Sequence, residues 1–323
     1  MGLRITTDIH GLERVAPPGT VVRTYSAAAW PSRPRRLLRL LTAALSSDHL
    51  VVNFALSDVM FLASMLALVP FHRCRLTTLD FFIGAPRSSR RPAIRWCLNR
   101  VDRMLVYFQD AGAFEAEYGI SRERFHYIPF KVNALELIRE TAVCDQGYIF
   151  TGGRSRRDFA TLFAAVGPLG YPVKVVTSPE AEMKPHGSSL EELQIPPNVH
   201  IDTNDRSQEL FVKAMAGARL VVLPILRDTT TQAGIGVYLQ GMALRKCVII
   251  SSGLGVSDVL TDGQALIVPA GDPDILRQAI ERAWNDEPLR RHYADAGYDY
   301  AQRLGGEDEL RRSVIAGLPG SPA

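Results

Sequence analysis

Cysteine is scarce in this chain: four stand among 323 residues, at 74, 97, 144 and 247. No two have a C-x-x-C or other metal-ligand spacing. A disulfide framework and a cysteine metal site are therefore excluded, and four reduced thiols are expected. An excess of one charge is lacking too. Lys plus Arg number 37 against 34 Asp plus Glu, a net of +3, which does not mark a nucleic-acid binder. Long hydrophobic runs are missing. The longest, Val59 to Phe71, has thirteen residues, where a spanning helix needs about 20. The opening Met-Gly-Leu-Arg-Ile-Thr-Thr-Asp has no apolar stretch behind a basic start, so no secretory leader is expected and the expected compartment is the cytoplasm. What is present is an ordinary globular mix, 46% hydrophobic and 22% charged. That rules out wholesale disorder, and the length predicts about two domains.

Short β-branched runs alternate with helix-like segments. LVVNF (50–54), RLTTL (75–79), RMLVY (103–107) and FHYIP (125–129) read as strands of a first half. GYIFTG (147–152), PVKVVT (172–177), VHI (199–201), RLVVL (219–223), CVII (247–250) and ALIV (265–268) read as strands of a second. Helices are expected from Asp58, over Pro92–Asn99, Ala111–Tyr118, Asp158–Val166, Gln208–Ala216, Gly234–Arg245, Pro273–Trp284 and Pro288–Gln302. This rhythm predicts an α/β protein of two doubly wound parallel-sheet domains facing across a cleft, with ligands at the strands' C-terminal ends. The boundary is expected within Lys131–Gln146, which has no strand pattern. Ser178–Pro197 reads as a surface excursion.

Two stretches carry chemistry. From Thr229 to Pro269 runs TTTQAGIGVYLQGMALRKCVIISSGLGVSDVLTDGQALIVP. It places a helix N-terminus near Ala233–Gly236, where free N–H groups, the dipole and two glycines suit an anion. A helix start with two packing glycines reads the same way. The second stretch is Thr151-Gly-Gly-Arg-Ser-Arg-Arg-Asp-Phe, between a strand and a helix. Gly152 and Gly153 let a phosphate approach, and Arg154 and Arg157 can neutralise a diphosphate. A plain turn with solvated arginines is the alternative. The spacing is not G-x-G-x-x-G, so a nicotinamide dehydrogenase is disfavoured.

Together these residues resemble the GT-B glycosyltransferases, and within them the retaining family four. The family reads Glu-Gly-Phe-Gly and then Glu-Ala-Met-Ala-x-Gly-x-Pro-Val-Val. Here stand Gln232-Ala233-Gly234-Ile235-Gly236 and Gln240-Gly241-Met242-Ala243-Leu244-Arg245-Lys246-Cys247-Val248-Ile249, with the spacing of eight kept. Gly253–Asp258 is similar to the family's Gly-Gly-Val-x-Glu turn, and Asp262-Gly263 with Leu266–Asp272 to its Val-Pro-x-Gly-Asp-Pro segment. Gly153-Arg154 and Arg157 resemble its Gly-Arg…Lys pair with a shorter gap. Val101–Asn133 resembles the end of its N-terminal domain.

The resemblance implies a Rossmann-like acceptor domain over 1–140, a nucleotide-sugar domain over 141–300, and 301–323 packing back on the first. It implies a metal-independent transferase using no cofactor, its donor a UDP- or GDP-linked sugar and its acceptor a sugar, a lipid-linked group or a small molecule. Arg154 and Arg157 would stabilise the leaving diphosphate. Thr231, Gln232, Gly234, Ile235 and Gly236 would hold phosphates and sugar, Gln240 the ribose, and Thr203 and Asn204 the base. Two family glutamates are glutamine here. Either the enzyme works through neutral contacts, or the site has become a non-catalytic binding or partner fold.

In the first half, Asp80 after RLTTL reads as an acceptor-side base, or as a turn cap. His10, His49 and His72 are scattered. Arg33, Arg35 and Arg36, and the run Arg87, Arg90, Arg91, Arg95, Arg100 and Arg103 beside Trp96, suit an anionic inner membrane surface or an anionic acceptor, or are simply solvated.

Overall fold

The computed structural model describes residues 3–25, 32–69, 73–80, 83, 88–203, 207–227, 230–260 and 263–320. The chain divides into two units, 1–129 with 308–323, and 130–307. In the first unit come β1 (Arg4–Thr7), β2 (Val21–Thr24), α1 (Arg33–Ala44), β3 (His49–Val52), α2 (Leu56–Leu68), β4 (Arg75–Leu79), α3 (Arg91–Leu98), β5 (Arg103–Val106), α4 (Gly112–Tyr118) and β6 (Phe125–Tyr127). The strands form one parallel sheet in the order β2-β1-β3-β4-β5-β6.

In the second unit follow α5 (Leu135–Glu140), β7 (Ile149–Gly152), α6 (Phe159–Val166), β8 (Val173–Val176), α7 (Glu180–Met183), β9 (Val199–Asp202), α8 (Gln208–Ala216), β10 (Leu220–Leu223), α9 (Ile235–Ala243), β11 (Cys247–Ser251), β12 (Leu266–Val268), α10 (Pro273–Asn285) and α11 (Glu287–Leu304). Its parallel sheet has the order β12-β11-β10-β7-β8-β9. A final helix, α12 (Glu307–Ala316), leads back to the first unit.

Strand alternation explains the core of the second unit. Ile149, Leu220, Val222, Cys247 and Ile249 point to the side covered by α6 and α10 and are buried there. Phe150, Val221, Val248 and Ile250 take the opposite side and are equally buried, as a sheet covered on both faces requires. Gly241 lets α9 lie close on that side: a Cβ there would already stand 3.3 Å from Val248 and 3.4 Å from Val221. Helix starts follow from their caps. Asp158, Ser207, Asp272 and Asp286 each accept a backbone N–H in the first turn of α6, α8, α10 and α11.

Every strand expected from the sequence is present. Two more, β1 and β2, escape the pattern because RITT and VVRT are not unbroken apolar runs and β2 is a largely exposed edge. The boundary differs from the one expected at 140. The chain enters the second unit at Phe130 because α5 packs against α8 and α9 and the Val132 N–H donates to Gly305 O at 2.9 Å. The return begins at 308 rather than 301 because α11 runs to Leu304 along α9. Arg311 Nε then donates to His10 O at 3.0 Å and Arg103 Nη1 to Gly317 O at 2.9 Å.

Lys246 immediately precedes β11 and is 6% exposed. Its Nζ donates to Cys144 O at 2.8 Å and Ala218 O at 2.7 Å. Burial pushes its pKa down to about 8, with Asp145 acting the other way. A neutral amine still has two N–H donors for those two carbonyls. The folded value lies below the unfolded one. Above about pH 8 the unfolded chain therefore keeps a proton that the native chain gives up, and this lysine makes stability rise with pH towards the ordinary lysine range. Urea denaturation of wild type and Lys246→Met at about pH 8 and about pH 10 should show the rise reduced in the variant. Equal rises would clear Lys246 as its source.

Candidate functional site

The sheet order of the second unit reverses between β7 and β10: from β7 the chain builds outward through β8 and β9, then returns to build β10, β11 and β12. Loops leaving the C-terminal ends of such a strand pair diverge and leave a crevice. The Arg157 loop leaves β7 there, and the segment reaching Gly234 leaves β10.

The Arg157 side chain is folded back into its own loop. Nε donates to Gly152 O at 2.6 Å and Nη1 to Ser155 O at 2.8 Å. Its backbone N–H donates to Ser188 Oγ at 2.8 Å, and the main chain bridges to Ile225 beyond β10. Gly153, at φ +92°, must be glycine, because a Cβ would lie 2.6 Å from Arg157 Nη2. A Cβ on Gly234, at φ +85°, would stand 3.8 Å from Nη1. The guanidinium thus sits between the two predicted glycine turns. It is 3% exposed, and burial alone pushes its pKa down, to about 10. No carboxylate pairs with it among the described residues. A buried cation held only by carbonyls is costly without a counter-charge.

Helix α9 begins beside it. Its cap is Gly234, which has no side chain to accept the first N–H groups, unlike α6, α8, α10 and α11. The amides of Ile235 and Gly236 and the positive end of the dipole lie next to the buried guanidinium. The Asn133 side chain approaches this turn; a Cβ on Gly236 would be 2.6 Å from its Nδ2. One turn further on, Gln240 is 7% exposed, and its Nε2 donates to Asn133 O at 3.3 Å.

The other sequence candidates divide. Gly152 is buried at the end of β7. Thr231 and Gln232 are half-buried in the approach to Gly234. Arg154 is exposed and has no hydrogen bond or ion pair among the described residues, so the two arginines stand in unlike settings. Thr203 is exposed after β9, two strands from β7 and so about 10 Å across the sheet. Asn204, Thr229 and Asp262 lie outside the described residues, as do His72, Phe81 and Arg87. Asp80 ends β4 at φ +45°, in the first unit.

Sequence reasoning missed one contributor here and one half-buried carboxylate of the first unit. The 178–197 stretch is more than a surface excursion: Ser178, Met183 and Ser188 are buried, Ser188 supports Arg157, and the Thr177 hydroxyl just before it donates to Gly153 O at 3.1 Å. A serine flanked by glycine and serine gave no signal of this. The second is Asp8. The first sheet reverses between β1 and β3, and Asp8 follows β1. Its carboxylate accepts the Asn53 N–H from the end of β3 at 2.9 Å. Burial raises its pKa, against the pull of that bond, Arg36 and His10. It was hidden because β1 itself was.

A family model described as Glycosyl transferases group 1 matches residues 173–286, which lie wholly in the second unit and begin at β8. No curated protein matches. Among solved structures, the chain is similar to sucrose-phosphate synthase from Thermosynechococcus elongatus, at 17% identity and TM-score 0.66, covering 93% of this chain and 82% of that one. It is similar to a glycosyltransferase from Rickettsia africae, at 11% identity and TM-score 0.67, covering 97% of both. Anabaena HepE, solved with UDP-glucose, aligns at 12% identity and TM-score 0.67 over 97% of this chain and 98% of that one. The shared architecture is the GT-B fold, with two Rossmann-like units in one chain, as the resemblance led us to expect.

The Gln240 contact makes a prediction. A carboxylate there would face the Asn133 carbonyl with no proton to offer, and would be buried unpaired. Gln240→Glu should therefore lose about 1–3 kcal/mol of stability, measured by urea denaturation. A variant as stable as wild type would show that this amide's donor is dispensable.

Proposed function

We propose that this chain is a glycosyltransferase that moves a sugar from a nucleoside diphosphate donor to an acceptor hydroxyl, without a metal and with retention at the anomeric carbon. The observation that carries the reading is the buried Arg157 guanidinium, free of any carboxylate partner among the described residues, beside the uncapped start of α9. A diphosphate would complete both. The matched family segment and the GT-B fold support it.

In this reading the bond from the anomeric carbon to the diphosphate oxygen breaks, and its electron pair stays on that oxygen. The growing charge meets Arg157 and the Ile235 and Gly236 amides, already in place in a poorly hydrated pocket. Arg154 reaches the diphosphate from the solvent side. The acceptor oxygen bonds to the anomeric carbon on the same face, and its proton goes to the departing diphosphate. Gln232 holds the sugar. With its Nε2 on Asn133 O, Gln240 keeps Oε1 as an acceptor for ribose hydroxyls. Thr203 flanks the base. HepE's complex with UDP-glucose makes that donor the first to try. The fit of a glutamine amide to Asn133 favours a working site over a decayed one, since loss of function gives no reason to match a carbonyl.

Calorimetric titration with UDP, GDP, ADP and dTDP, with and without a divalent metal, should find one nucleotide bound at micromolar affinity regardless of metal. No binding would sink the donor site. Binding without turnover of any sugar nucleotide would favour the non-catalytic alternative. Arg154→Ala, at an exposed position that cannot perturb the core, should lower turnover about a hundredfold, or about 3 kcal/mol, with the fold unchanged. Undiminished turnover would remove Arg154 from the mechanism.

A further inference from the structure

Seventeen arginines and no lysine precede Lys131, against ten Asp and Glu. The excess is concentrated on one layer of the first unit. Helix α1 packs beside α2, and α2 beside α3. These three helices contain a single acidic residue, Asp58, which is buried and bonded by Arg33 and Arg36. Their outward side therefore presents no negative charge. On the next helix, α4, stand Glu115 and Glu117.

The same side exposes large apolar groups. Leu38 on α1 is 59% exposed, Leu68 on α2 is 72%, and Trp96 on α3 is 45%. On α1 and α3 they stand among arginines, while α2 between them carries none. Arg35, Leu38 and Arg39 share one stripe of α1, and on α3 Arg91 and Arg95 share one while Trp96 stands on the flank next to it. The Arg100 guanidinium lies over the Trp96 ring, 3.7 Å from its centre. Phe61 continues the stripe of α2 one turn pair before Leu68.

We infer that the outward face of α1, α2 and α3 docks on an anionic lipid bilayer. The chemistry selects that partner. Leucine and tryptophan gain by entering the acyl boundary, while the surrounding guanidinium groups reach lipid phosphates. A nucleic acid would match the arginines but would leave three exposed aliphatic and aromatic groups without a use. A second copy of the face would set arginine against arginine with no carboxylate between them.

The test uses the whole protein and sedimentation with vesicles of phosphatidylcholine, with or without phosphatidylglycerol. Anionic vesicles should capture it at low salt at least about tenfold more strongly than neutral ones, and high salt should release it. Arg35→Gln with Arg91→Gln, and separately Leu38→Ser with Leu68→Ser, should each weaken capture about tenfold or more. Trp96 emission should shift to the blue on capture, and the shift should vanish in Trp96→Phe. Nucleotide affinity should stay at the wild-type value in every variant. That confirms folding and separates this inference from the proposed transfer activity. Equal capture by both vesicle types, no capture, or variants captured as wild type would overturn the inference. So would a self-association that the leucine substitutions abolish in a protein no vesicle retains.

Discussion

The second unit is organised around a positive charge that the fold buries without neutralising. Arg157 gives its donors to the carbonyls of Gly152 and Ser155, which orient the guanidinium but cannot cancel it. The surrounding geometry follows from keeping it there. Gly153 yields space, Ser188 pins the main chain, and the bridge to Ile225 ties the loop to the strand across the reversal. A charge kept in low dielectric at a helix start acts far more strongly on an incoming anion than a surface arginine would.

Sheet order decides where that charge can act. Because the second sheet starts in its middle and is extended first one way and then the other, two loops separate at the reversal and nowhere else. The helix that opens there has no side-chain cap, while α6, α8 and α10 close their own starts with Asp158, Ser207 and Asp272. The glutamine at 240 belongs to the same scheme. An amide can donate to a main-chain carbonyl and still accept from a ligand, whereas a carboxylate can only accept.

Much of this was legible in the sequence, for identifiable reasons. Ten strands were readable because buried parallel strands are written as unbroken runs such as LVVL and CVII. The glycines at 153 and 234 marked the two turns on either side of Arg157. Arg154 and Arg157 looked alike as letters; only the backward fold of one side chain separates them, and that depends on the left-handed turn at Gly153 and on a serine thirty-one residues away. The first fifty residues were opaque because β1 and β2, RITT and VVRT, mix polar residues into their runs, and Asp8 was lost with them. The domain boundary was misplaced because α5, six residues long, carries too little pattern to reveal which unit it joins.

The first unit is closed by residues that come last. Val314 and Leu318 are buried, and Arg103 and His10 are bonded by the returning segment 308–323. The ribosome therefore delivers the whole second unit before it delivers the piece that finishes the first. During synthesis all six strands of the amino-terminal sheet emerge before residue 128, and the helix that completes their core with Val314 emerges only after the middle of the chain is made. The order of maturation is then inverted with respect to the order of translation.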